Sequence, residues 1–382
     1  MSAAHASAGG RRASGGGARA SSALLRAGAA AALLGGTGAL WGYWHDPRSF
    51  FAAWLAAFWF WLSMPLGALG LLLIWDLTGG AWEPLARVPL SAMAATAPLF
   101  IVLFVPLIAG RHELYPWLAP QSAMPLPNRW YLNGGFFFVR AGAYFLVWNG
   151  FAAWRLLRPG AREWLSGIGV LLLGYCISFA GIDWLMSTEP RWFSSIYGMI
   201  VGAGQFAAAI ACALVLITAL GRGESAAAAF PAARMASLAA ILLAVVIFFA
   251  YTSFCQWLII WEENLRHEVP WYLERRQGAW GAVIYGLLAA HFVVPFFALL
   301  WTPAKRQPLL VAGVCVLLLL ADIVHVWWLL LPGLHRVAFS WLEPSVMLGV
   351  GGLWLLALGG ALHLRGQALL PPGEPQPQAA HG

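Results

Sequence analysis

Asp322 and His325 sit three residues apart in "LLLLADIVHVWWLLL" (317–331), a run whose other side chains all suit lipid. Residues at that spacing share one face of a helix. A charged group at the centre of a bilayer costs about 3 kcal/mol on insertion scales, so buried ionisable residues there carry a reason with them. At the rise of an α-helix the pair lies about 10–14 Å from the nearer end of its span, too deep for short side chains to reach the membrane surface. Both must therefore face protein or enclosed water. Histidine and aspartate together suit a proton path or the polar end of a quinone pocket, because burial and pairing tune where each titrates. The plain alternative is a staple, a hydrogen bond to a neighbouring helix worth roughly 0.6–2 kcal/mol.

Other groups of the same kind are spread along the chain. His291 lies mid-span in "IYGLLAAHFVVPFFALL", and Arg140 interrupts "GGFFFVRAGAYFLVWNG". Asp183 lies near the end of one apolar run and Glu343 near the start of another. Tyr251, Ser253 and Gln256, and further back Ser194, Tyr197 and Gln205, recur at helical spacing. Asp322, His325, Asp183, His291, Arg140, Glu343, Tyr251 and Gln256 are the candidates for a proton path or quinone pocket. Arg140 is equally readable as the counter-ion of one of the acids. His291 and His325 are poor axial ligands for a haem with Asp322 beside one of them. The four cysteines are far apart, without a CxxC pair, and give no metal or iron–sulfur site. No phosphate-binding loop, zinc-protease motif or nucleophile elbow is present, so no self-contained catalytic or metal site is expected.

The chain that must position these groups has 382 residues, 61% hydrophobic and only 10% charged. That balance excludes an ordinary soluble domain. The net charge of +7 comes from arginines scattered through short loops, not from a basic stripe, so nucleic acid is excluded as a partner and the lipid bilayer takes its place. Windows of about 20 apolar residues can cross the membrane. They predict an all-α polytopic protein of about ten spans, near 22–43, 50–75, 88–110, 131–156, 164–187, 193–220, 234–261, 277–301, 308–331 and 341–364. Residues 1–21, rich in Ala, Gly, Ser and Arg, and the Pro-rich tail 365–382 are expected to be unstructured. Lysine and arginine favour an arrangement with both termini in the cytoplasm.

"GRHELYPWL" (110–118) after the third span is echoed by "LRHEVPWYL" (265–273) after the seventh. Four spans separate the copies, so two four-helix bundles in the same orientation are expected, spans 2–5 (about 50–187) and spans 6–9 (about 193–331).

"GIDWLMSTEPRWFSSIYGMIVGAGQF" (181–206) and "FAYTSFCQWLIIWEENLRHEVPWYLERR" (249–276) carry a resemblance across roughly residues 45–365. They resemble the second NrfD-like integral membrane subunit of alternative complex III, the bacterial quinol:cytochrome c oxidoreductase, within the NrfD/polysulfide-reductase membrane subunit family. The resemblance implies two four-helix bundles in the bacterial cytoplasmic membrane. It also implies partners: a second NrfD-like membrane subunit, an outer iron–sulfur subunit, c-type cytochrome subunits and a terminal oxidase. Iron–sulfur clusters and haem c would then reside in those partners, with quinol the one small molecule this chain could bind. Asp183, Gln256, Trp261 and Asn264 fall on the family's motifs; Asp322, His325 and His291 do not. The expected function is support of proton movement, with or without quinol binding, in quinol oxidation. A secondary transporter and a structural anchor for outer redox subunits are the rivals.

Overall fold

The computed structural model of the protein describes residues 2–119, 128–158, 162–220, 232–334 and 340–366. All regular structure among them is helical. Among the described residues, nine helices are long and apolar enough to cross a membrane, and ten if the bent pair Glu83–Ala94 and Leu99–Ala109 is one span. The protein is thus an all-α, multi-pass membrane protein.

The chain runs α1 (Ser2–His45), α2 (Pro47–Thr78), then a third span broken into α3 (Glu83–Ala94), α4 (Leu99–Leu103) and α5 (Val105–Ala109). It continues through α6 (Gly134–Leu157), α7 (Glu163–Trp184), α8 (Tyr197–Leu220) and α9 (Ala232–Glu263). A short α10 (Val269–Glu274) precedes α11 (Ala279–Leu287) and α12 (Val294–Leu300), which are joined by a π-helical turn at Leu288–Val293. The last spans are α13 (Pro308–Leu330) and α14 (Leu342–Gly366).

Local chemistry sets several of these boundaries. Asp46 caps α2 by accepting from the Ser49 amide at 3.1 Å, with Pro47 in the first helical position, and Asn133 caps α6 by accepting from Phe136 at 2.9 Å. The third span bends by 41° near Pro98, which has no amide proton to continue the ladder. Pro295 likewise cannot donate to the carbonyl of His291, four residues back, and the helix passes that point in the π register. The backbone is already helical from Ser2, where no structure is expected. The tail from 367 onward lies outside the described residues.

α2 packs on α3, α6 and α7, and α6 on α7; α8 packs on α9 and α13, which in turn pack on the α11–α12 span, giving two successive groups, unit one and unit two. α2 and α8, the first helix of each, meet along the seam, and their most apolar windows are 89% and 83% buried against 22–39% for α6, α7, α9, α11–α12 and α13. Gly67 makes that approach close, since a Cβ there would stand 2.5 Å from the Gln205 carbonyl oxygen. Outside the units α1 lies against α14, which packs on α2 and α3. A Cβ on Gly35 would come within 2.1 Å of the Gly349 nitrogen, so the two backbones touch.

Both echoed segments lie at one end of the bundle. Trp117 donates to the Ser187 carbonyl at 3.1 Å, and Trp271 stacks on Trp192 with ring centroids 4.3 Å apart. One connection, between α7 and α8, thus receives both tryptophans. Arg275, fully buried, clamps that end by donating to Glu189 at 2.5 Å and to the Leu329 carbonyl at 2.6 Å.

Candidate functional site

Besides Arg155 of α6 and Asp76 of α2, 2.7 Å apart near the ends of their spans, two ionisable clusters sit within the spans among the described residues, one in each unit. In the first, Arg140 of α6 faces Asp183 of α7. Its Nε and one terminal nitrogen donate to the two carboxylate oxygens at 2.7 and 2.8 Å, the fork geometry that suits a carboxylate best. Its other terminal nitrogen donates to the Tyr131 carbonyl at 2.9 Å, and Tyr144 adds a hydrogen bond to Asp183 at 2.7 Å. The guanidinium also lies 3.9 Å from the Tyr131 ring centre and 4.4 Å from that of Phe136. Asp183 is fully buried, and both of its carboxylate oxygens accept hydrogen bonds. Arg140 is the counter-ion of Asp183, and the pair ties α6 to α7.

The second cluster lies deeper, in unit two. His291, in the π-helical turn, directs Nε2 toward Asp322 Oδ1 of α13 at 3.6 Å. That is longer than a full hydrogen bond. Both side chains are buried, and the other ring nitrogen of His291, Nδ1, has no hydrogen-bond partner. Phe249 of α9 stacks on the His291 ring at 4.2 Å and meets His325 edge-on at 5.1 Å, so one phenyl ring holds both imidazoles in place. The two imidazole centres are 5.9 Å apart.

His291 and His325 form one wall of a cavity of about 550 Å³ between α9, α10, α11 and α13. Phe249, Trp257, Tyr285 and Phe292 supply much of its apolar lining. Its polar groups gather at two places. One is the histidine pair; the other is Gln256, Tyr272 and Arg276 near α10. The Gln256 amide donates to the Tyr272 hydroxyl oxygen at 3.2 Å, which leaves the phenol proton free to donate elsewhere. The Gln256 carbonyl oxygen has no partner. Burial pushes the Tyr272 phenol up to about 12, so it stays a neutral donor at physiological pH. A mostly apolar pocket with a few converging polar groups is the usual form of a small-molecule site.

The predicted residues therefore separate. His325, His291 and Gln256 line the cavity, with Asp322 behind His291 and outside the lining, while Arg140 and Asp183 form the ion pair of the other unit. Tyr251 is 62% exposed on the outer surface of α9 and takes no part. Its neighbours Ser253 and Gln256 turn inward, a rotation that Phe249 fixes by packing on His291. Glu343 accepts from the Ser340 amide and hydroxyl at 2.7 and 2.6 Å and closes the start of α14, a helix-end role. Tyr272, Arg276 and Trp328 line the cavity without having stood out in the sequence. Interfacial Tyr, Trp and Arg are common in any membrane protein, so their types alone did not single them out.

No protein-family model matches this chain, and no curated protein matches it.

Proposed function

We propose that this chain is a membrane subunit of a quinol-oxidising respiratory assembly of the alternative complex III type, seated in the bacterial cytoplasmic membrane with both termini inside. The unit-two cavity would take the quinol head group. The observation that carries the reading is His291: one ring nitrogen faces a buried carboxylate, and the other is unpartnered in a residue lining a membrane-level cavity. A carboxylate facing an imidazole whose far nitrogen is buried without a partner is an arrangement that serves a general base once a substrate hydroxyl reaches that nitrogen. A quinol hydroxyl would give its proton to His291, with Asp322 stabilising the imidazolium. Tyr272 and Gln256 would hold the second oxygen of the ring, and the apolar wall of α9 and α11 would lie along the isoprenoid tail. A path without Arg140 and Asp183 suffices for this.

The electrons would pass to iron–sulfur and haem c centres in an outer iron–sulfur subunit and c-type cytochromes, alongside a second NrfD-like membrane subunit and a terminal oxidase. The motifs at 181–206 and 249–276 support that assignment. The transporter reading is weaker, because paired breaks at matching positions are absent among the described residues: the third span is broken while its counterpart α9 is continuous. A purely structural anchor gives no role to a cavity that brings His291, His325, Gln256 and Tyr272 together.

The test is affinity purification of the tagged chain from its native membrane, followed by quinol:acceptor turnover. The expected result is co-purification of haem c and iron–sulfur proteins, with turnover falling at least tenfold in His291→Phe. Recovery of the chain alone, or full turnover in that variant, would contradict the proposal.

A further inference from the structure

Gln205 of α8 is only 1% exposed, yet neither atom of its side-chain amide has a hydrogen-bond partner. A buried amide left in that state is costly. It borders a small void of about 10 Å³ in the seam between the units, whose walls are Trp59 and Ser63 of α2, Gly204 and Gln205 of α8, and Asp322 and His325 of α13. That size is close to the minimum for one water molecule, and a buried water needs two to four polar partners. The partners are present. Ser63 donates to the Trp59 carbonyl at 3.2 Å, which leaves its oxygen free to accept. A Cβ on Gly204 would lie 3.4 Å from Asp322 Oδ1, so the glycine keeps that side of the carboxylate open.

We propose that this void is a binding site for one water molecule, held by Gln205, Asp322 and Ser63, and that it gives Asp322 a second proton contact distinct from His291. The water accepts from the Gln205 amide nitrogen and donates to the Asp322 carboxylate. The titratable groups facing Asp322 are His291 from the α11–α12 span and His325 from its own helix; α2 and α8 bring only neutral side chains to the void. Resting on the quinol reading, the water holds the Asp322 carboxylate from the seam side while that carboxylate faces the imidazolium formed when His291 takes a quinol proton.

The test is infrared difference spectroscopy of the full chain in nanodiscs, between pH values that protonate and deprotonate Asp322, in ordinary and ¹⁸O-labelled water. The expected result is an ¹⁸O-sensitive water band that disappears in Gln205→Met and in Asp322→Asn. In Gln205→Met the Asp322 carbonyl stretch should also move to higher frequency. Gln205→Met removes an unpaired polar group, so it is expected to fold. The proposal is overturned if no such band exists, if the band is unchanged in Gln205→Met, or if the carbonyl stretch responds to replacing sodium by choline, which would make the occupant a cation. Adding a short-tailed quinone separates the two readings. An intact water band with no quinone response would retire the quinol pocket while leaving the water site standing.

Discussion

The two units place an acid and a base between the same pair of helices and do opposite things with them. By the echoed segments, α6 corresponds to the α11–α12 span and α7 to α13. In unit one these helices carry Arg140 and Asp183; in unit two they carry His291 and Asp322. The first pair is bidentate, further bonded by Tyr144 and the Tyr131 carbonyl, and walled by aromatic rings. Arginine does not lose its proton in a protein, so that pair can only hold. The second pair is 3.6 Å apart with an unpartnered ring nitrogen and a cavity on one side. Histidine has two ring nitrogens, one able to accept a proton while the other donates, so that pair can act. The neighbourhoods agree: Trp184 fills unit one against Phe58, Phe104, Phe145 and Trp148, whereas unit two keeps about 550 Å³ open. A buried ion pair alone therefore says little about function; completeness of its hydrogen bonding says more.

The largest effect should come from breaking the closed pair. Asp183→Leu leaves Arg140 buried and uncompensated, at a cost of about 3–5 kcal/mol. Thermal unfolding in detergent should show a large loss of folded protein. Adding Arg140→Met to it should recover most of the loss, and failure to recover would mean the pair does more than bind helices. Asp322→Asn is the counterpart. With only a long, partly satisfied contact to lose, it should change stability by about 1 kcal/mol or less, while quinol-dependent turnover of the complex falls at least tenfold. A loss of stability as great as that of Asp183→Leu would erase the contrast.

How much of this was visible in the residues differs between the two levels. The spans were legible because about 20 apolar residues in a row have few other uses. Asp322, His325 and His291 stood out because charge in such runs is costly. The pairing of Arg140 with Asp183 was not, since the residues lie 43 apart and meet only after α6 and α7 pack. Nor was the facing of α9, where Tyr251 and Gln256 look equivalent until packing against His291 turns one outward. Pro98 broke its span and Pro295 only changed the register of another, a distinction set by what surrounds each.

Smaller effects sharpen the map of the open pair. Tyr272→Phe removes one neutral hydrogen-bond donor and should weaken binding of a quinone analogue by about 1 kcal/mol, roughly fivefold, in a fluorescence titration. Glu343→Ala should lower stability by about 1 kcal/mol through the lost helix-end contact and leave that affinity unchanged. Tyr251→Phe, on the outer surface of α9, should change neither.

The most direct measurement is the affinity of a short-tailed quinone analogue for the purified chain in nanodiscs, read by quenching of Trp257, Trp261 and Trp328, which line the cavity. Wild type, His291→Phe and the paired variant Arg140→Met/Asp183→Leu would be compared. The account predicts saturable binding in wild type and in the unit-one variant, and at least a tenfold loss in His291→Phe. Absence of saturable binding in wild type, or equal losses in both variants, would contradict it.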